Sequence, residues 1–459
     1  MNEVLGLDIT TCIDHCRKVI DSGPINNEII SLEVKSTNEG VFLEIVSESY
    51  EAMDTTHKPG EPIEHVYNIV IEDHIGRIIT INDVYITKHS FEYDHNSPIT
   101  RSELKFSSIS RDVIDSTQVY CTIATVTNLK DILKNGTRSL TVLRKSTLNN
   151  DDYFIGKNFK LSKQHTSDSR TINTFEFDIN GLNISLIFSD NFGNGYLLFE
   201  GIVSQDFISS ILDVLSFFIG RKINSIATKF IDVNSRPLGF RALPKTISSK
   251  KVTNYLTNSP IPIGKINSEA INSLYNSYDK YKLKHIFWSY FQALDVSSEK
   301  RAVYYGGCIE SFQSIYLELN KQKISGAIIK RASYRKLKNK FIAELQNSHI
   351  SEAEKALFQR SIENMNRLPQ KAITQKFFDT LNLDVRELEM TAWNRRNDAA
   401  HGNLISDDDY TNLFRHNLVL HCLFNRMLLS SLGVSNQYID YYTYGFPTRH
   451  ISSCIPITN

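Results

Sequence analysis

Apolar positions alternate with polar ones through the first half of the chain and recur every three or four residues through the second. Strands are therefore expected first and helices after. Ile29 to Val34 and Val41 to Val46 flank a turn at Asn38-Glu39-Gly40. The clearest hairpin is Thr174 to Phe188. There Phe175, Phe177 and Ile179 alternate with polar residues, Asn180-Gly181 supplies the turn, and Leu182, Ile184 and Leu186 continue the alternation. Both central residues of such a turn need positive φ, which Asn and Gly tolerate. His65 to Glu72, Arg77 to Ile86, Val119 to Val126 and Leu140 to Leu143 add further strands, and a short helix is expected near Asp8 to Ile20. This spacing predicts an antiparallel, sandwich-like sheet.

From Asp206 the period changes. Phe207, Ile211, Leu215 and Phe218 predict a helix that stops at Gly220. Prolines 237, 244, 260 and 262 follow, and the domain boundary is placed at Pro262. Helices are then predicted over Tyr281–Leu294, Ser298–Lys321, Tyr334–Gln346, Ser351–Met365, Asp384–His401 and Asp407–Leu432. The expected fold class is α+β: a β-rich domain over 1–262 and an all-helical bundle over 263–459.

Composition narrows the classes. With 51 basic and 51 acidic residues the net charge is zero, which argues against coating nucleic acid by bulk charge. Cys12, Cys16, Cys121, Cys308, Cys422 and Cys454 are scattered without zinc-ligand spacing, as in a reduced protein. The stretch from Phe207 to Ile219 is too short and too polar to span a bilayer, and the first residues show no secretory pattern. A cytoplasmic protein away from membranes is expected. Phosphate-loop and nucleophile-elbow motifs are missing, so no cofactor is expected.

One helix carries candidate chemistry. Asp384 and Glu387 have the spacing of a capping box, Gly402 stands where a terminal glycine belongs, and Leu388, Ala392 and Ala399 make an apolar stripe. Arg396 and His401 form an Arg-x4-His pair within Arg-Asn-Asp-Ala-Ala-His-Gly, with Asn397 four positions before His401. Spacing alone also fits a solvated helix end whose histidine stabilises the dipole. An imidazole that exchanges protons near neutrality beside a guanidinium that holds phosphate oxygens is the equipment for phosphodiester cleavage. Arg395 makes an equally allowed Arg-x5-His, so the choice between the two arginines stays open.

This context resembles the HEPN superfamily (higher eukaryotes and prokaryotes nucleotide-binding), whose nucleases carry Arg-x4–6-His with a polar residue commonly after the arginine. The resemblance covers about residues 265–459. A β-rich first half, the Leu215-to-Arg221 segment and then the bundle look like the ApeA-type proteins of bacterial phage defence. The resemblance implies metal-independent RNA cleavage to 2′,3′-cyclic phosphate and 5′-hydroxyl ends. His401 would transfer protons, Arg396 would hold the phosphate and Asn397 would orient the group or the imidazole. Glu310, on the first long bundle helix, matches an acidic residue common in that family and could reach the motif as an acceptor, although a solvent-facing helix glutamate is the commoner reading.

The pair lies some 140° apart around one helix, at about 100° per residue, so a homodimer through the helical domain is expected to complete the cleft. Between Lys321 and Lys340 there are eight basic residues and no acidic one. Lys330, Arg331, Arg335 and Lys336 are the expected RNA contacts, and a solvated face is the bland alternative. His416 and His421 lack metal-ligand companions, and Asp407-Asp408-Asp409 is read as a helix cap. No metal site is expected. The partners expected are RNA, with tRNA among the candidates, and a phage-derived trigger at the first domain. A non-catalytic HEPN nucleotide- or RNA-binding module, or a structural interaction protein, are the alternatives.

Overall fold

The computed structural model describes residues 7, 9–13, 16–25, 28–37, 40–48, 66–94, 97–127, 129, 143–147, 152–155, 159–162, 171–188, 195–244, 258–320, 326–400 and 409–456. The chain is α+β and forms two compact units, Met1–Asn258 and Ser259–Asn459, parted just before Pro262.

In the first unit hydrogen bonds join 14 described strands into one sheet, every recorded pairing antiparallel. The strands Ile29–Thr37, Gly40–Glu48, Ser97–Lys105 and Ile78–Asp94 lie side by side at one end. Leu43, Ile45, Ile69, Ile71, Ile81 and Leu104 close a core there. Toward the other end, Thr171–Ile179 and Leu182–Phe188 make the expected hairpin, pairing Phe175 with Leu186 and Phe177 with Ile184. Asn180 and Gly181 take φ of 51° and 87°, the positive pair that a two-residue turn of this kind needs.

Helix α1, Gln205–Ile219, buries Ile208, Ile211, Leu215 and Phe218. Ser204 caps it by accepting the Phe207 N–H at 3.2 Å, and Gly220 ends it at φ 70°. The helix expected over Asp8–Ile20 does not form. Ile9–Thr11 is a single 3₁₀ turn, and Cys16–Asp21 is a strand paired with Tyr67–Asp73. β-Branched Val19 and Ile20 favour the strand, and an available antiparallel partner outweighs a weak local preference.

The second unit contains α2 (Ser268–Asn276), α3 (Leu283–Asp295), α4 (Ser298–Leu319), α5 (Arg331–Gln346), α6 (Glu352–Asn364), α7 (Gln370–Thr380), α8 (Glu387–Ala400) and α9 (Tyr410–Ser431). The apolar spacing does not announce α2 and α7, whose few turns carry too few apolar repeats. Helices α4 and α9 form the centre: Phe312, Val419, Leu420, Phe424 and Met427 have no exposed surface. Each such burial contributes about 1.5–3 kcal/mol, so α8, packed on both helices, is firmly seated. Among the described residues no helix is long and apolar enough to cross a membrane.

Candidate functional site

Helix α8 turns Glu389, Ala392, Trp393 and Arg396 inward, at helical spacings of three and four. Of the expected stripe, Ala392 is fully buried, Leu388 is only half-buried, and Ala399 lies outside the residues with described side chains. Two ionisable residues share the inner face because each has a partner there.

Glu389 and Arg426 of α9 pair at 3.0 Å with both side chains fully buried. The Glu389 carboxylate also accepts the Ile455 N–H at 2.9 Å and the Arg386 N–H at 3.1 Å. Arg426 donates further to the carbonyls of Ile451 at 3.1 Å and Asp384 at 2.8 Å. This network replaces the capping box expected of Asp384 and Glu387. Glu389 is the glutamate that reaches back to a backbone N–H, while the Asp384 carboxylate accepts from Arg386 Nε at 2.9 Å.

Arg396 lies at the other end of the same face. Its Nη1 donates to the Trp393 carbonyl at 2.6 Å, its Nη2 donates to Glu310 Oε1, and its guanidinium carbon sits 3.5 Å from the centre of the Trp393 ring. The side chain is 10% exposed, against 46% for Glu310. The expected neighbour Glu310 therefore does meet the motif arginine, from α4. The arginine itself is not held out to solvent. His401 and the side chain of Asn397 lie outside the described residues.

Gly306 makes this seat possible. A Cβ built there would meet Arg396 Cδ at 2.6 Å, so the arginine stem crosses α4 where a methyl group is missing. The sequence signal was the Gly306-Gly307 pair inside a long helix, where glycine costs about 1 kcal/mol of propensity. Gly306→Ala is expected to destabilise the helical unit by up to about 2 kcal/mol, overpacking of about 1–3 kcal/mol being offset by about 1 kcal/mol of regained helix propensity. Denaturant melts should show that loss together with a changed Trp393 fluorescence. Melts and emission identical to wild type would mean that the stem simply moves aside.

Arg395 differs from its neighbour. It is 44% exposed and pairs with Asp409, also 44% exposed, at 3.2 Å. An exposed pair of this kind is worth about 0–1 kcal/mol, whereas removing one partner of a buried pair costs about 3–5 kcal/mol. Arg395 and its carboxylate are both exposed, whereas Arg396 is buried and also held by the Trp393 carbonyl and ring. Asp409 stands at the N-cap position of α9 but makes no capping bond, contrary to the cap expected of Asp407-Asp408-Asp409. Asp407 and Asp408 lie outside the described residues. Asp409 Oδ1 instead accepts from Asn412 Nδ2 at 3.1 Å as well as from Arg395. Stabilised by those donors, its carboxyl titrates below the usual range.

Of the two α9 histidines, His421 is a core residue. Its Nε2 lies 2.9 Å from the Tyr290 hydroxyl and 3.2 Å from Asn425 Nδ2, and burial pushes its pKa down to about 3. His416 is half-buried, and burial together with the Arg395 charge lowers its pKa. Lys330, Arg331, Arg335 and Lys336 are exposed at the start of α5, without an ion pair among the described residues. Helix α5 packs principally on α6, so this basic face stands on a different part of the unit from the Arg396 contacts. The described residues hold no group of three His, Cys, Asp or Glu placed to share a metal ion.

No family model, curated protein or solved structure matched the chain.

Proposed function

We propose that this protein is a metal-independent endoribonuclease of the HEPN type, acting as an abortive-infection effector against phage. The observation that supports this most is Arg396. A guanidinium fixed by Glu310, Trp393 and the notch at Gly306 stands near the end of the helix whose sequence runs on to His401. Arginine and histidine are the two groups that RNA transesterification needs, one for charge on the phosphorane oxygens and one for protons. In this reading the 2′-hydroxyl attacks phosphorus, His401 handles a proton, and Asn397 orients the reacting group. Two copies of the helical unit complete the cleft, the cations from Lys330 to Lys336 guide RNA, and the β-rich unit controls the nuclease in the cytoplasm. A polar cleft of about 920 Å³ in that unit, lined by Asn82, Asp83, Gln205, Thr228 and Arg241, is where a phage-derived trigger would be sensed.

End-group analysis tests the chemistry. Total RNA incubated with the protein in EDTA is expected to yield 2′,3′-cyclic phosphate and 5′-hydroxyl ends at the rate seen without chelator. Fragments ending in 3′-hydroxyl and 5′-phosphate, or cleavage that EDTA stops, would point to metal-activated water and overturn the proposal. The burial of Arg396 favours a second reading, a HEPN-type module that binds nucleotide or RNA without cutting it. That reading requires RNA binding with no cyclic ends under any activating condition.

A further inference from the structure

We propose that Arg395, Asp409 and His416 form the solvent-facing half of the nuclease centre: Arg395 takes a non-bridging oxygen of the scissile phosphate, and His416 accepts the proton of the attacking 2′-hydroxyl. The inference rests on the RNA-cleavage reading above and moves the phosphate contact of that reading from the buried Arg396 to the exposed Arg395.

Three observations converge on it. Arg395 is the accessible guanidinium of the motif, and its partner Asp409 is equally exposed, so a phosphate can replace that carboxylate. Asp409 occupies a capping position yet its side chain makes no capping bond and instead accepts from Arg395 and Asn412. Such a carboxylate holds the guanidinium in place for an anion of similar shape. Asn412 and His416 follow Asp409 by three and seven positions, which puts all three on one face of α9. The histidine thus shares the face that meets Arg395.

The charges around His416 suit a proton acceptor. Asp409 and Arg415 are on its own helix and Arg395 comes from α8. From α4, Glu299 adjoins Ser298, whose carbonyl accepts from Asn417 Nδ2 at 2.8 Å. Burial and then Arg395 hold the imidazole below the ordinary histidine range, against the opposing pull of Asp409, so it is neutral at neutral pH. The step balances. The 2′-oxygen bonds to phosphorus as its proton passes to His416, the phosphorus–O5′ bond breaks, and the 5′-oxygen takes a proton from the imidazolium assigned to His401. Arg396 acts as a positioning residue, keeping α8 in register so that Arg395 faces α9. A purely structural clasp between α8 and α9 would use the same Arg395–Asp409 pair but would give His416 no part in the rate.

The test uses the full chain with two strands of one sequence, an unmodified RNA and a fully 2′-O-methylated copy that lacks the nucleophile. His416→Gln is expected to lower cleavage by about 100-fold and to remove the acidic limb of the pH–rate profile, with probe affinity within about threefold of wild type. Arg395→Gln is expected to weaken the probe by about tenfold and to reduce the salt slope by about one, and Arg395→Lys recovers part of both. Asp409→Asn should tighten the probe, because a competing anion is gone. Melting temperatures near wild type confirm that each variant folds. Wild-type cleavage together with undiminished cleavage by His416→Gln and Arg395→Gln overturns the inference and leaves the nuclease reading standing. A wild type that binds the methylated strand through Arg395 but never cuts RNA overturns the nuclease reading and the role of His416, while the phosphate contact survives. Equal probe binding by wild type and Arg395→Gln overturns that contact.

Discussion

Cleavage by the His401→Ala chain is expected to fall by about 10²–10⁴-fold, the usual contribution of a positioned proton-transfer group. The magnitude follows from what the leaving 5′-oxygen requires. An alkoxide is a poor leaving group unless a proton arrives as the bond breaks, and water supplies one slowly at neutral pH. Histidine is the side chain whose ordinary titration lies there, and position 401 follows directly on Ala400, the last residue of α8, where a helix favours positive charge. Single-turnover rates on a defined RNA, with circular dichroism to confirm the fold, provide the measurement. A rate within about tenfold of wild type would remove His401 from the mechanism. Arg396→Ala is less informative, because it also opens a gap between Trp393 and Gly306. Arg396→Lys keeps the stem and the charge while losing the fork to Glu310 and the Trp393 carbonyl.

Arg426→Ala is expected to cost the helical unit about 3–5 kcal/mol, because a fully buried ion pair would lose one partner. Three separate chain segments meet at this arginine: α8 and the residues before it through Glu389 and Asp384, α9 itself, and the turn at Ile451. For a unit of this size each kcal/mol lowers Tm by about 2–4 °C, so a fall of roughly 6–20 °C should be seen by far-UV circular dichroism. The double variant Glu389→Leu/Arg426→Met removes both charges and should recover much of the loss. A Tm shift under about 2 °C in Arg426→Ala would mean that water or a rearranged partner reaches Glu389, and the network would lose its assigned role.

Periodicity made most of the elements legible, and the misses share a cause. The hairpin at Asn180-Gly181 and the stop at Gly220 were readable because the turn chemistry is local. The strand at Cys16–Asp21 was not, since its partner lies some fifty residues away and no local pattern encodes that pairing. Within the site, Glu310 was legible only as one option among several. Its contact with Arg396 depends on how α4 and α8 cross. On the inner face of α8, Ala392 was legible but Glu389 and Arg396 were not, because a charged residue at a helix position reads as solvated unless its partner is known. Glu389 and Arg396 find theirs at sequence distances of 37 and 86. His416 was legible only beside His421, as a histidine without metal-ligand companions. Only the pairing of Arg395 with Asp409 across the α8–α9 connection draws attention to it.

The missing methyl at Gly306 works as a keyway. The arginine stem lies in it as a dowel lies in a slot, and the flanking inward positions of α4, Ala302 and Ile309, are occupied by side chains. Sliding α8 along α4 by one turn would drive the stem against those atoms, so the two helices have one permitted longitudinal setting. Packing at Gly306 therefore opposes any movement that slides α8 along α4, while Asn394 and Arg395, exposed on the outer side of α8, lie away from that contact.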